Sequence, residues 1–355
     1  MPLMIAISLC MIVKNEERKL ANCLDSVLDY IDEIIIADTG STDKTKGIAR
    51  RYTDKLYDYK WNNNFSEARN YAISKAHNEY ILVLDGDEII ESIDMNLIER
   101  LINQKPKQIG RLLCINEYNR KGIDYKYKER VSRLFSKNYF KYEGMIHEQL
   151  EPYDNCIVET YNAPIKIIHS GYGGTLEERK NKALRNINLL KQALKKQPND
   201  PYILYQLGKS YYMEEDYVGS CKFLGEALYC DLNPGLEYVQ DMIESYGYSL
   251  LNTGQYEIAL QLLNVYDEFS QSADFIFLIA LVLMNNGKYQ EAIDEFLKAA
   301  KKEVCKMEGV NDYLAFYNIG VIYECLGDIN RAKTYYNKCG NYNLAVLRNK
   351  ILLTS

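Results

Sequence analysis

The sequence predicts an α/β domain with a mostly parallel, doubly wound sheet, followed by an all-α solenoid of helical hairpins. Three observations carry the prediction. Apolar, β-branched runs alternate with amphipathic stretches through the first half, the pattern of parallel strands joined by crossover helices. The strand signal stops after Gly171. From Pro201 onward one helix-turn-helix pattern returns four times. At 355 residues the chain is long enough for two units, each with its own core. The divisions suggested are residues 1–170 for the α/β domain, 171–200 for a connecting amphipathic helix and 201–355 for the array.

Taken in order, residues 5–13 read as a buried strand. The apolar start at 1–13 has no basic opening and no small-residue cleavage site, and it runs into Lys14-Asn15-Glu16-Glu17, so it does not read as a leader. Residues 18–28 place Leu20, Leu24, Val27 and Leu28 on one helical face. Residues 33–37 form a second strand, and a Gly-Ser-Thr-Asp turn opens a helix over about 44–52, with Ser41 or Thr42 as its cap. Asn64, with Glu67 three residues on, is placed to cap a helix containing Ala72 and Ile73. Residues 80–84 are a strand that stops at Asp85-Gly86-Asp87. From about 110 to 169 the strands are expected to be less regular, as an acceptor-side extension.

Leu176–Lys196 reads as one long basic amphipathic helix, closed by a break at Gln197-Pro198-Asn199-Asp200-Pro201. In a 34-residue unit counted from Pro201, Leu207, Gly208, Tyr211, Tyr217, Leu224 and Ala227 take the positions of a tetratricopeptide-like repeat. Gly254, Tyr256, Ala259 and Leu263 do so from Gln240, and Gly287, Tyr289, Ala292, Phe296 and Ala299 from Ala273. Gly320, Tyr323, Gly327, Ala332 and Tyr336 complete a fourth unit from Tyr313. Small residues at positions 8 and 20 of each unit let the paired helices approach, and aromatics fill the gaps between units. The 32 tyrosines are in good part this packing material.

The net charge of −6 argues against a protein built to neutralise nucleic-acid phosphates. Nine cysteines without a CxxC pair favour reduced thiols and a cytoplasmic setting over a disulfide framework. No run of about 18 apolar residues exists to span a membrane.

The chemistry-bearing residues fall beyond the carboxyl ends of the predicted strands, where such sheets bind ligands. Asp85 and Asp87 are hard oxygen ligands suited to Mg2+ or Mn2+, and Gly86 between them lets a diphosphate approach the backbone. An isolated pair of this kind is usually a solvated turn, but this one follows a buried strand. Asp38, at the end of the second strand, offers a carboxylate to a base N–H, and the turn after it offers backbone donors. Arg69 is placed to reach phosphates, although exposure is the commoner fate of such an arginine. Of the three histidines, His77 reads as surface. His147, beside Glu148 in Gly144-Met145-Ile146-His147-Glu148, and His169, after an apolar run, read as site residues.

These motifs, in this order, resemble the family 2 glycosyltransferases of GT-A type, whose catalytic domain is Rossmann-like. The resemblance rests on the Ser8-Leu9-Cys10-Met11-Ile12-Val13-Lys14-Asn15-Glu16-Glu17 stretch, Asp38-Thr39-Gly40-Ser41-Thr42-Asp43, and Trp61 with Asn64 to Asn70. Leu84-Asp85-Gly86-Asp87-Glu88 and the Gly144 to Glu148 turn complete it. It covers about residues 5–170, and a tetratricopeptide tail recurs in one branch of the family. With Arg185-Asn186-Ile187-Asn188-Leu189 leading into the repeats, the layout is also similar to bacterial peptide S-glycosyltransferases that modify bacteriocins. The resemblance implies that Val13, Asn15, Glu16, Asp38 and Thr39 surround the nucleoside, with Arg69 near the diphosphate. It implies Asp85 near the ribose or the metal, Asp87 and His169 on Mg2+ or Mn2+, and Glu148, next to His147, as the general base of an inverting enzyme. Two departures stand out: Thr39 replaces an Asp that reads uracil in many relatives, and His147-Glu148 replaces the commoner Glu-Asp.

The expected reaction is displacement at the anomeric carbon of a UDP-sugar by an acceptor that the repeats hold, a peptide or protein side chain; a cysteine thiol would need less help from a base. The competing readings are a polysaccharide or lipid-linked glycan acceptor, an inactive scaffold that uses its repeats for protein binding, and an array that serves a homodimer. A nucleotide-sugar pyrophosphorylase would need a Gly-rich basic loop after the first strand, and Lys14-Asn15-Glu16-Glu17 is not one.

Overall fold

Six of the seven residues of β1 (Ile7–Val13) are buried, so the strand is covered on both faces, as the middle of a parallel sheet must be. The computed structural model describes residues 5–120, 123–154, 157–169 and 176–354, and the chain divides into two units, Met1–Arg179 and Lys180–Ser355. The first four residues and the expected change of character at 170–171 lie outside the described residues.

After β1 come α1 (Leu20–Asp25), β2 (Glu33–Asp38), α2 (Thr45–Ala49), β3 (Leu56–Asp58), α3 (Phe65–Ser74) and β4 (Tyr80–Val83). Then follow β5 (Glu88–Ile93), α4 (Met95–Gln104), β6 (Ile109–Arg120), β7 (Ile123–Ser136), β8 (Phe140–Glu143), β9 (Gln149–Pro152) and β10 (Thr160–His169). The eight-stranded sheet runs β3-β2-β1-β4-β7-β6-β10-β5, and β8 pairs with β9 apart from it. β3, β2, β1 and β4 are parallel, as are β6 and β10, while β7 and β5 run against their neighbours.

Three local readings are corrected. The helix expected over 18–28 is only α1, followed by a turn at Leu28–Tyr30. The Ser26 hydroxyl donates back to the Cys23 carbonyl and accepts the Ile90 N–H, which ends the helical ladder. The segment expected to be irregular contains the two longest strands, β6 and β7, in register from Gly110↔Leu134 to Arg120↔Ile123 with one shift. Residues 125–130 of β7 are exposed or half-buried and largely charged, so no buried apolar run marks a strand there. β5 and α4 were not foreseen; Asp94 caps α4 by accepting the Leu97 N–H. The Asn64 cap of α3 is present, accepting from the Glu67 N–H.

In the second unit, α5 (Leu176–Lys196) is followed by α6 (Pro201–Met213) and α7 (Tyr217–Leu228), then α8 (Glu237–Asn252). After it come the short α9 (Tyr256–Ala259) and α10 (Tyr266–Phe269), separated by a 3-10 segment, Leu260–Val265. The series ends with α11 (Ala273–Asn285), α12 (Tyr289–Ala299), α13 (Tyr313–Cys325), α14 (Ile329–Lys338) and α15 (Asn343–Thr354). Helices begin at or within three residues of each expected repeat start. Asp200, Asp216, Ser272 and Asp328 each cap a helix of the array by accepting a backbone N–H three residues on. The second repeat departs from the pattern: its second helix is broken into α9, the 3-10 segment and α10, whose Tyr266 and Phe269 pack on Phe275.

The small positions behave as expected. A Cβ on Gly208 would sit 2.5 Å from Leu224, on Gly247 2.6 Å from Leu278, and on Gly320 2.5 Å from the Tyr336 ring. Ser220, Ala259, Ala292 and Ala332 hold the other small position, all fully buried. The turn after the first helix is left-handed in every repeat. Gly254, Gly287 and Gly327 take φ of +73, +74 and +80°, and Glu215 takes +60° in the first.

Candidate active site

The carboxyl ends of β1 and β2 are laced together through backbone groups. The Asn15 N–H donates to Ser41 Oγ (2.9 Å), Glu16 N–H to Thr45 Oγ1 (2.7 Å) and Glu17 N–H to Asp43 Oδ2 (3.1 Å). Asn15 Oδ1 in turn accepts the Thr42 N–H (2.8 Å). Asn15 holds φ of +57°, a region that asparagine tolerates better than most residues. Ser41 and Thr42 therefore do not cap α2, whose cap position is Lys44 with no side-chain cap; the Thr45 N–H goes to Asp43 Oδ1 at 2.9 Å.

Asp38 ends β2 fully buried. Its Oδ1 accepts from Gly40 N–H (2.9 Å) and Ser41 N–H (2.8 Å), with Lys46 Nζ at 3.7 Å. Those backbone donors, expected to serve a ligand, are taken by Asp38 itself. Its Oδ2 is buried with no hydrogen-bond partner among the described residues, a costly state that a ligand N–H would relieve. Thr39 points its hydroxyl at the Val13 carbonyl (3.1 Å) and sends its N–H to the same oxygen (2.9 Å), so both are engaged within the fold.

The second cluster is ionic. Arg69 on α3 is buried, correcting the surface alternative. Its Nη2 donates to Asp85 Oδ1 (2.8 Å) and its Nε to Glu148 Oε1 (2.5 Å), while Nη1 is buried without a hydrogen-bond partner among the described residues. Arg133 on β7 donates to Asp85 Oδ2 (2.8 Å) and lies 3.4 Å from Glu88 Oε1; Glu88 Oε2 accepts the Asp85 N–H (2.8 Å). Burial alone would raise the Asp85 pKa, but the Arg69 and Arg133 guanidiniums hold it well below the usual carboxylate range. Burial, reinforced by the Asp85 charge, pushes Glu88 upward against the pull of Arg133. Asp85, expected beside ribose or metal, is thus committed on both oxygens to arginines.

Asp87 faces a different group. His169, at the end of β10, lies with Nε2 3.5 Å from Asp87 Oδ1, and Lys19 Nζ is 3.6 Å from Oδ2. Asn116 on β6 bonds His169 Nδ1 (2.7 Å) and donates to Glu129 (2.6 Å), fixing the ring. Burial would lower the His169 pKa, but the bond to Asp87 and the surrounding carboxylates raise it. A carboxylate and an imidazole offer two donors to a hard divalent cation. Among the described residues no group of three or more His, Cys, Asp and Glu is arranged to hold one. Mg2+ or Mn2+ fits this pair if phosphate oxygens complete the coordination, the way such ions are commonly shared with a nucleotide.

Glu148 sits on the turn between β8 and β9, where Gly144 takes φ of +100° and His147 +52°. The His147 carbonyl accepts from the Gln149 side chain (3.1 Å). The turn is tied to α3, since Phe65 N–H donates to the Met145 carbonyl (2.9 Å) and Asn70 bonds both backbone groups of Tyr142 (2.8 and 3.0 Å). This brings Glu148 and Arg69, 79 positions apart, into contact. The neighbour a Cβ at position 86 would crowd is Glu16, whose Cγ it would meet at 3.0 Å. His77 is exposed as expected.

Sequence reading missed Arg133, Asn116, Glu129 and Lys19, and met Glu88 only as part of a motif. Arg133 is one of several cations alternating along β7, with nothing local to distinguish it.

Residues 8–150 match the Glycosyl transferase family 2 model and residues 313–343 the Tetratricopeptide repeat model. Residues 222–299 match the model for subunit 3 of the anaphase-promoting complex, or cyclosome. A TPR repeat-containing protein of Synechococcus elongatus is 33% identical over 63% of this chain and 57% of its own length. The SPbeta prophage-derived glycosyltransferase SunS of Bacillus subtilis is 33% identical over 57% and 48%. Among solved structures, YrrB, a TPR protein with an unusual peptide-binding site, overlaps 49% of this chain and 87% of its own at 21% identity with a TM-score of 0.41. The chain spans about half the length of the curated relatives it matches. No helix among the described residues is long and apolar enough to cross a membrane. On the family model and the two related chains, this protein joins a family 2 glycosyltransferase domain of GT-A layout to tetratricopeptide repeats.

Proposed function

We propose that this chain is a glycosyltransferase that moves a sugar from a UDP-sugar, with Mg2+ or Mn2+, onto a side chain of a peptide or protein acceptor, inverting the anomeric centre. The observation that carries the reading is the gathering of Arg69, Asp85, Asp87, His169 and Glu148 within a domain that matches family 2. Asp38 accepts an N–H of the base through its unpartnered oxygen. The Arg69 guanidinium, whose Nη1 has no hydrogen-bond partner among the described residues, donates to the diphosphate, where a buried cation counts for most. Asp87 and His169 would hold the cation, which neutralises charge on the departing nucleoside diphosphate when bound. Glu148 keeps one oxygen on Arg69 and uses the other, which takes no hydrogen bond among the described residues, to remove the acceptor proton.

The acceptor is an extended peptide bound by the repeats, the use to which stacked helical pairs are suited. A small acceptor would not call for four repeats in the same chain. The eight described cysteines are free thiols, in keeping with a reducing, cytoplasmic setting. Incubating the protein with a panel of UDP-sugars and Mn2+ tests the donor, since slow transfer to water reveals it without the acceptor. Metal-dependent release of UDP from one sugar is the expected result; no release from any of them, with or without metal, sinks the proposal. Transfer to peptides that persists unchanged in a chain ending at Pro198 would remove the repeats from acceptor binding.

A further inference from the structure

Resting on that donor reading, we propose that Arg133 is a positioning residue for the reaction: it holds Asp85 so that Arg69 presents its remaining N–H groups to the donor diphosphate. Strand pairing delivers it. The β4–β7 register runs Tyr80↔Ser136, Ile81↔Phe135 and Leu82↔Leu134. The next residue of β7, Arg133, therefore arrives where β4 gives way to Asp85.

There it closes a ring. Arg133 Nη2 touches Asp85 Oδ2 (2.8 Å) and Glu88 Oε1 (3.4 Å), and the other Glu88 oxygen grips the Asp85 N–H (2.8 Å). The carboxylate and the backbone of Asp85 are thus fixed by two different residues. Asp85 Oδ1 then faces Arg69 Nη2 at 2.8 Å. With Nε on Glu148, the guanidinium is pinned from two sides, and Nη1 is left buried with no hydrogen-bond partner among the described residues.

Three carboxylates, Asp85, Asp87 and Glu88, crowd four consecutive positions. Arg133 is the second guanidinium on Asp85 and reaches Glu88 as well. Without it Asp85 and Glu88 repel across the turn, and the hold on Arg69 loosens. A lysine replaces it only in part: its ammonium supplies the charge, but on a flexible stem and without the delocalised, weakly hydrated guanidinium that suits a buried ion pair.

Calorimetric titration with UDP and Mn2+, on the full chain with helicity checked, tests this. Arg133→Met is expected to bind UDP roughly 10- to 100-fold more weakly, as the loss of an outer-shell partner does. Arg133→Lys should recover part of the difference. Because Arg133 acts through Asp85, its loss should have little further effect in an Asp85→Asn background. Arg133→Met that binds like the wild type, or a loss of equal size in both backgrounds, overturns the proposal and leaves the donor reading standing. A wild type that binds neither UDP nor GDP overturns the donor reading and this proposal with it. If Arg133→Met does not fold, Arg133→Lys with Asp85→Asn completes the same cycle.

Discussion

Both units bury carboxylates, and they treat them in opposite ways. In the N-terminal unit Asp85 lies between two guanidiniums and stays ionised. In the repeats, Glu244 on α8 is buried near Asp241 and Asp274, with Lys306 Nζ 3.9 Å away. Burial pushes its pKa up to about 7, helped by the two neighbouring acids and opposed by Lys306. Asp241 escapes this because Tyr205 and Lys209 both donate to it at 2.5 Å. A buried carboxylate remains charged where cations are within bonding distance and takes up a proton where they are not. Around Asp85 that compensation is complete, whereas Glu88, 3.4 Å from Arg133, is still pushed upward by burial; the repeats supply it at Asp241 and only in part at Glu244.

The sharpest way to separate the units is Glu148→Gln. Turnover should fall by roughly two to four orders of magnitude, the range for lost general-base help, while UDP binding persists. Single-turnover assays beside calorimetry check it, and near-normal turnover with a hydroxyl acceptor contradicts the role. Asp87→Ala should lower turnover by about two to three orders of magnitude, the range for a lost electrostatic partner of the transition state. It should also make UDP affinity insensitive to Mn2+; affinity that still rises with metal moves the cation elsewhere.

A substitution in the repeats should behave in the reverse manner. Gly320→Ala drives a Cβ to 2.5 Å from Tyr336, a ring that is 1% exposed and bonded to Glu324 at 2.6 Å, so it cannot swing aside. The helical transition in circular dichroism should lose about 1–3 kcal/mol, while fluorescence of Trp61, the single tryptophan, reports an unchanged N-terminal unit.

pH should split the units in opposite directions. Glu33 on β2 is held down at about 2: burial works against this, but bonds from Lys55, Ser8 and His77 prevail. Its folded pKa lies below its unfolded value, about 4.3. Its contribution is therefore present above pH 4.3 and fades as pH falls towards 2. Glu244 is raised, so the folded state binds the proton more tightly and stability declines as pH climbs from about 4.3 to 7. Glu33→Gln should flatten the acid limb of Trp61-detected stability, and Glu244→Gln the neutral limb of the helical transition. The smallest effect is expected at Glu215, the one repeat turn without glycine. Glu215→Gly should raise melting stability by about 0.5–1 kcal/mol by relieving its φ of +60°; a loss would mean its side chain matters more than its backbone.

The repeats were legible because their determinants are local and periodic. Gly208, Ala292, Gly320 and Ala332 fall at fixed spacing, and each packs against its own hairpin or the next one. β1, β2 and β4 were legible because strands covered on both faces are written as unbroken apolar runs. Asp38 and His169 drew notice in the sequence because each ends a strand, and Asp85 and Asp87 because they follow one. What those residues touch could not be read there. Asp85 meets Arg69 and Arg133 across separations of 16 and 48 positions, and Arg69 meets Glu148 across 79. Nothing in β7 singles out Arg133 among its cations until antiparallel pairing with β4 sets it beside Asp85. Strand register and the tie between α3 and the β8–β9 turn settle which charges meet, and in a buried site the partner decides whether a carboxylate serves as ligand, base or anchor.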